Sequence, residues 1–160
     1  MMQKLIVICV DDQPEVLSAV SRDLAALSSH CVIEECQSAA ECLELLDELD
    51  AEGAPIALVI SDHVMPAMTG VDLLTEVNSD ERFKQTHKFL LTGLATHQDT
   101  IRAINQAGIE QYFEKAWNPD ELVLECKRAL THFVFETGLD YTEYQPILDA
   151  ESVYIHLRKV

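Results

Sequence analysis

Long apolar runs are absent from this 160-residue chain, and the longest, Leu5 to Val10, has six residues. A membrane-spanning helix needs about 20 and a secretory h-region about 7–15. Neither is expected, and the chain reads as cytoplasmic. Basic residues are scarce: 11 Lys and Arg stand against 28 Asp and Glu, a net charge of −17. No Lys or Arg occurs from Asp23 to Glu81, a stretch that carries fourteen acids. Binding to nucleic acid or to anionic lipid depends on Lys and Arg meeting phosphates, so no nucleic-acid and no membrane partner is expected. Glycine and proline number five each, too few for a low-complexity or collagen-like chain. The five cysteines form no CxxC pair and read as buried thiols acting as small hydrophobes. The six histidines show no zinc spacing, and no metal is assigned to them.

What is present is an alternation of two periods. Strands are expected at Lys4–Val10, Cys31–Cys36, Ile56–Ile60, Phe89–Thr92 and Gln111–Glu114. Helices are expected at Pro14–Ser28, Ser38–Asp50, Thr69–Asp80 and Thr96–Ala107, and from an Asn118 cap with Pro119 at the first helical position to about Glu136. Gly108 is placed to end the fourth helix. Five βα units imply an α/β fold, a five-stranded doubly wound parallel sheet with helices on both faces. A single domain is expected at residues 1–136, followed by a short C-terminal extension at 137–160.

In such sheets ligands bind beyond the carboxyl ends of the strands. There the sequence has Asp11 and Asp12, Asp62, Thr92 and Lys115. Taken singly, each has an ordinary reading: a helix cap, a turn former, a strand terminus, a surface lysine. Together they place three carboxylates, a hydroxyl and an ammonium on one edge. Two carboxylates about 5 Å apart repel by ~3 kcal/mol at an effective dielectric near 20, so three together call for a divalent cation or a raised pKa. Hard oxygen ligands on an open site suit Mg²⁺. Lys115 and Thr92 then face phosphoryl oxygens, and Asp62 is a carboxylate placed to form an aspartyl-phosphate.

Four motifs in this order, Asp11-Asp12 after an apolar strand, Ser61-Asp62 to Pro66 with Gly70 beyond, Leu91-Thr92-Gly93, and Tyr112 to Lys115, resemble the receiver domain of two-component response regulators. The resemblance covers about residues 3–134 and implies a flavodoxin-like receiver fold. It implies that Asp62 accepts a phosphoryl group from a sensor histidine kinase or phosphotransfer protein, without turnover of an external substrate. It also implies Mg²⁺ ligation by Asp12, Asp62 and the Val64 main-chain carbonyl, with Asp11 acting through water. Thr92 and Tyr112 match the residues that switch together on phosphorylation, and an unknown downstream protein is expected to read the change.

The sequence departs from that family at Ala116, Leu94 and Val64. Ala116 stands where a cis proline is usual. The Lys115–Ala116 bond is still expected to be cis, so that Lys115 reaches the site. Apolar Val64 and Leu94 flank the path of an attacking water and imply a long-lived phosphate. Leu124 and Phe135 fall opposite the buried stripe of their helix, and the tail is expected to cover them, on its own helix or in a homodimer. Val153, Ile155 and Leu157 alternate as in a strand, with a short helix from Pro146 as the alternative. Two other functions fit less well. A haloacid-dehalogenase-type hydrolase would carry its acids as Asp-x-Asp on the first strand. A binding-only pseudo-receiver would lack Asp62, Thr92 or Lys115.

Overall fold

The computed structural model describes residues 2–93, 101 and 103–159. Every residue of β1 (Leu5–Val10) and of β3 (Ile56–Ser61) is buried, which is why both segments read as unbroken apolar runs rather than as an alternation. They lie inside a parallel sheet with β2 (Cys31–Cys36), β4 (His87–Thr92) and β5 (Gln111–Glu114). Among the described residues the strand order is β2-β1-β3-β4-β5, the doubly wound order of a flavodoxin-like sheet.

Alternate strand residues feed two cores. Val7, Cys9, Leu58, Ile60, Phe89 and Leu91 pack beneath α1 (Pro14–Asp23) and α4 (Pro119–Thr137). Ile8, Val10, Val59 and Leu90 pack beneath α2 (Ala39–Ala51) and α3 (Gly70–Ser79). Each fully buried Leu, Ile or Val contributes about 1.5–3 kcal/mol, so the central strands anchor the edge where the acids lie. All five cysteines are free and buried, and burial pushes the Cys9 thiol up to about 12. That keeps it protonated, as expected of a hydrophobe.

Caps fix the helix starts. Ser38 Oγ accepts from Glu41 N at 3.1 Å, and Thr69 Oγ1 accepts from Asp72 N at 3.1 Å. Asn118 Oδ1 accepts from Asp120 N and Glu121 N, and Gly138 closes α4 in the left-handed region. The first helix is shorter than expected: it stops at Asp23 and a 3₁₀ turn follows over Ala25–Leu27. Side chains three apart eclipse in a 3₁₀ turn, so Leu24 and Leu27 both face the core. β4 begins two residues before its expected start because Lys88 is buried, its ammonium donating to Thr86 O at 2.8 Å. Half of the expected Thr96–Ala107 helix, residues 96–100 and 102, lies outside the described residues. Ala103–Ala107 forms a π-helical turn, and Gly108 follows in the left-handed region.

The tail corrects the strand-like reading. It forms two 3₁₀ turns, Tyr141–Glu143 and Gln145–Ile147, and then α5 (Ala150–Arg158), capped by Asp149. In a helix, residues two apart lie 200° apart. Val153 therefore turns inward and Ile155 falls on the far face, exposed, while Leu157, back within about 40° of Val153, is exposed in the last turn of the helix. The tail covers Phe135, which stacks on Tyr141 and His156, but it leaves Leu124 38% exposed.

The tail dock is built from titratable groups. His132 Nδ1 and His156 Nε2 lie 2.6 Å apart and share a hydrogen bond in which one ring donates and the other accepts. Burial lowers both pKa values. His87 and Lys159 lower that of His132 further, against Glu136 and Asp149; His132 and Lys159 lower that of His156, against Glu136. His87 is the opposite case. Burial opposes its charge, but Glu110 at 3.2 Å and Glu136 at 3.1 Å outweigh it and raise its pKa. A lowered histidine contributes stability that is present above its unfolded value and lost as pH falls. A raised one contributes stability that is present at low pH and lost as pH rises through its folded value. Hydrogen exchange along 150–158 should therefore accelerate, relative to β4, between about pH 7.5 and about pH 5.5. Equal protection ratios at both values would contradict the pairing.

Candidate functional site

Four strand ends and the loop after β3 build one cleft of about 370 Å³, lined by Asp12, Gln13, Asp62, Val64, Thr92, Gly93 and Lys115. Asp11 follows β1, its amide donating to Cys36 O across the sheet at 3.0 Å. Its Oδ1 accepts from Gln13 N at 2.8 Å, which sets the start of α1. Asp62 follows β3, its amide donating to Val10 O at 2.8 Å. Its Oδ1 accepts from His63 N at 2.8 Å, and its carbonyl accepts from Ser61 Oγ at 2.8 Å. Lys115 follows β5, its amide donating to Thr92 O at 3.1 Å.

The Lys115 ammonium reaches across this edge. It lies 3.3 Å from Asp62 Oδ2 and 3.3 Å from Asp11 Oδ2, and it donates to Gln13 Oε1 at 3.0 Å. Burial opposes its charge, but the two carboxylates outweigh that and hold its pKa above the ordinary lysine range. Burial pushes the Asp11 carboxyl up. Repulsion from Asp62 adds to this, while the Gln13 amide and Lys115 work against it.

The expected cis bond is absent. No described peptide bond is cis, and Lys115 still reaches both carboxylates. A non-proline cis bond costs ~2.5–4 kcal/mol, and the four-carbon lysine stem makes it unnecessary.

The carboxylates fit a hard cation. Ligand atoms of Asp11, Asp12 and Asp62 all lie within 4.8 Å of one another. Asp11 Oδ2 is buried and receives no aligned hydrogen bond, although the lysine charge is near. A buried carboxylate oxygen left so is a lone pair free for a metal or its water. Asp12 is exposed at the cleft, and Val64 stands at the mouth, 58% exposed. Thr92 is fully buried at the end of β4, and Tyr112 is half-buried against the α2–α3 core. Leu94 lies outside the described residues.

Two residues escaped the sequence reading. Gln13 carries no chemical signature, yet it touches the lysine. Gly70, noted only as part of a motif, packs so close that a Cβ there would lie 1.9 Å from the Asp62 carbonyl oxygen. Between them Ala67 takes a left-handed conformation, φ 70°, which costs an L-residue about 1–2 kcal/mol.

Comparison with known proteins identifies this arrangement. A family model of the response regulator receiver domain matches residues 7–127. The chain belongs to that family. The receiver is 33% identical over 113 residues to chemotaxis protein CheY1 of Helicobacter pylori, covering 71% of this chain and 86% of that protein. It is 34% identical over 135 residues to the DNA-binding transcriptional regulator NtrC of Escherichia coli, covering 82% of this chain but 26% of NtrC. It matches 15% of the length of the hydrogenase transcriptional regulatory protein HoxA of Cupriavidus necator, at 36% identity over 48% of this chain. The receiver also superposes on the signal receiver domain of an HD domain-containing protein from Pseudomonas fluorescens, with a TM-score of 0.75 at 28% identity, covering 86% of this chain and 95% of that one. Its setting is therefore two-component signal transduction. No helix among the described residues is long and apolar enough to cross a membrane.

Proposed function

We propose that this receiver takes a phosphoryl group onto Asp62 from a histidine kinase or phosphotransfer protein, and that the modified form presents a changed surface to a downstream protein. The observation that carries this reading is the Lys115 ammonium at 3.3 Å from both Asp11 and Asp62, in a cleft that also holds Thr92. A carboxylate oxygen of Asp62 attacks phosphorus as the bond to the donor's histidine nitrogen breaks in line. Lys115 leaves its carboxylate partners for a phosphoryl oxygen, and the Thr92 hydroxyl donates to another. Asp11, Asp12, Asp62 and the Val64 carbonyl would hold Mg²⁺, which when bound neutralises charge on the phosphoryl oxygens. Movement of Thr92 frees space that Tyr112 fills, and this carries the change to the β4–β5 surface. Val64 at the mouth offers an attacking water no hydrogen bond, so the phosphate is long-lived.

The test is stoichiometry. With acetyl phosphate and Mg²⁺ the chain should take up one phosphoryl group and then stop. Sustained release of phosphate at a rate far above the uncatalysed one would favour a hydrolase instead.

A further inference from the structure

The loop that carries Lys115 into the cleft lacks the proline that would stiffen it, because Ala116 follows Lys115 in the trans form. Something else must hold it. Two residues beyond Lys115, the Trp117 indole Nε1 donates to Asp23 Oδ2 at 2.7 Å, a bond between residues 94 apart in the chain. The Trp117 ring packs on the main core beside it. A hydrogen bond to a carboxylate is about twice as strong as a neutral one.

Asp23 is the last residue of α1. A carboxylate at a helix C-terminus opposes the macrodipole, so Asp23 does nothing favourable for its own helix there. At the other end of α1, Gln13 stands at the N-cap and accepts from the Lys115 ammonium at 3.0 Å. One helix of ten residues, about 15 Å long, thus grips the loop twice. Gln13 holds the lysine's tip, and Asp23 holds the indole of the residue two positions on. The helix starts directly after the acids of the site, so the loop is registered against Asp11 and Asp12 through a rigid element.

We infer that Trp117 and Asp23 are positioning residues that set the reach of Lys115 into the cleft. The inference rests on the reading that Lys115 serves phosphoryl transfer at Asp62. Misplacement of a catalytic group by about 1 Å can cost ~10²-fold in rate, and a loosened loop that still samples the right position should cost about ten-fold.

The experiment uses the full chain, acetyl phosphate and Mg²⁺. Trp117→Phe keeps an aromatic ring, smaller than the indole, and removes the donor; Asp23→Ala removes the acceptor. Each should slow phosphorylation about ten-fold, and the pair together no more than either alone. Asp23→Asn keeps an oxygen acceptor and should stay within about two-fold of wild type. In a Lys115→Ala background Trp117→Phe should have no further effect. A readout independent of phosphorylation is the nuclear Overhauser contact between Lys115 Cε protons and the Gln13 side-chain amide, present in wild type and lost in Trp117→Phe. Wild-type rates in Trp117→Phe, the same slowing in the Lys115→Ala background, or a retained Overhauser contact would overturn the inference. A wild-type protein that takes no phosphoryl group defeats the functional reading instead, and the Overhauser contact then decides the tether by itself.

Discussion

Gly70→Ala is expected to destabilise the protein by about 3 kcal/mol and to slow phosphorylation at Asp62. The added methyl would lie 1.9 Å from the Asp62 carbonyl oxygen, 2.7 Å from its carbon and 3.0 Å from His63 Cα. These are backbone atoms and cannot swing aside as a side chain would. Either α3 moves off the sheet or the end of β3 bends. Both break the bond from Gly70 N to His63 O at 2.9 Å, and bending also disturbs the Ser61 hydroxyl on the Asp62 carbonyl. Overpacking costs about 1–3 kcal/mol and more against backbone, which for a chain of this size shifts Tm by roughly 10 °C. Gly53→Ala is the control. It has open space around it and only a left-handed φ of +73° to strain, so about 1–2 kcal/mol is expected. A Gly70→Ala protein as stable as the Gly53→Ala one would contradict the close approach.

Lys115→Ala should have the largest effect on function and an unusual effect on stability. Asp11 and Asp62 side chains are 3% exposed, and Lys115 lies 3.3 Å from an oxygen of each. Removing one partner of a buried ion pair costs about 3–5 kcal/mol. The lysine is 25% exposed, so water screens part of the loss, and about 2 kcal/mol is expected in metal-free buffer. Mg²⁺ should restore stability to the variant more than it adds to wild type, because it supplies the missing positive charge. Loss of a preorganised donor should slow phosphoryl transfer about 10²–10³-fold. Urea unfolding with and without Mg²⁺ checks this. Equal stability of the two proteins without metal would show that the lysine does not compensate the carboxylates.

The residues that could be read from the chain are those whose position follows from local pattern. β1 and β3 are buried on both faces, so Leu5–Val10 and Ile56–Ile60 announce themselves, and the acids after them are strand ends by counting. Caps such as Ser38 and Thr69 were legible for the same reason. What stayed hidden depends on contacts far apart in the chain. Gln13 meets Lys115 across 102 residues, Trp117 meets Asp23 across 94, and His132 meets His156 across a turn that no periodicity reveals. The tail misled because alternation at Val153, Ile155 and Leu157 is a strand signal only if the alternate faces differ. Asp149 with Ser152 three residues on was the helix signal. The cis bond at Ala116 was a family habit rather than a need of this chain.

The most direct test of the central claim is to trap the acyl phosphate and locate it. The full chain would be treated with acetyl phosphate and Mg²⁺, reduced with borohydride, digested, and its peptides sequenced by mass spectrometry. Reduction should convert the side chain at position 62 to that of homoserine and leave Asp11 and Asp12 unchanged, and Asp62→Asn should give no reduced peptide. Reduction at Asp11 or Asp12, or an equal yield from Asp62→Asn, would show that Asp62 is not the acceptor.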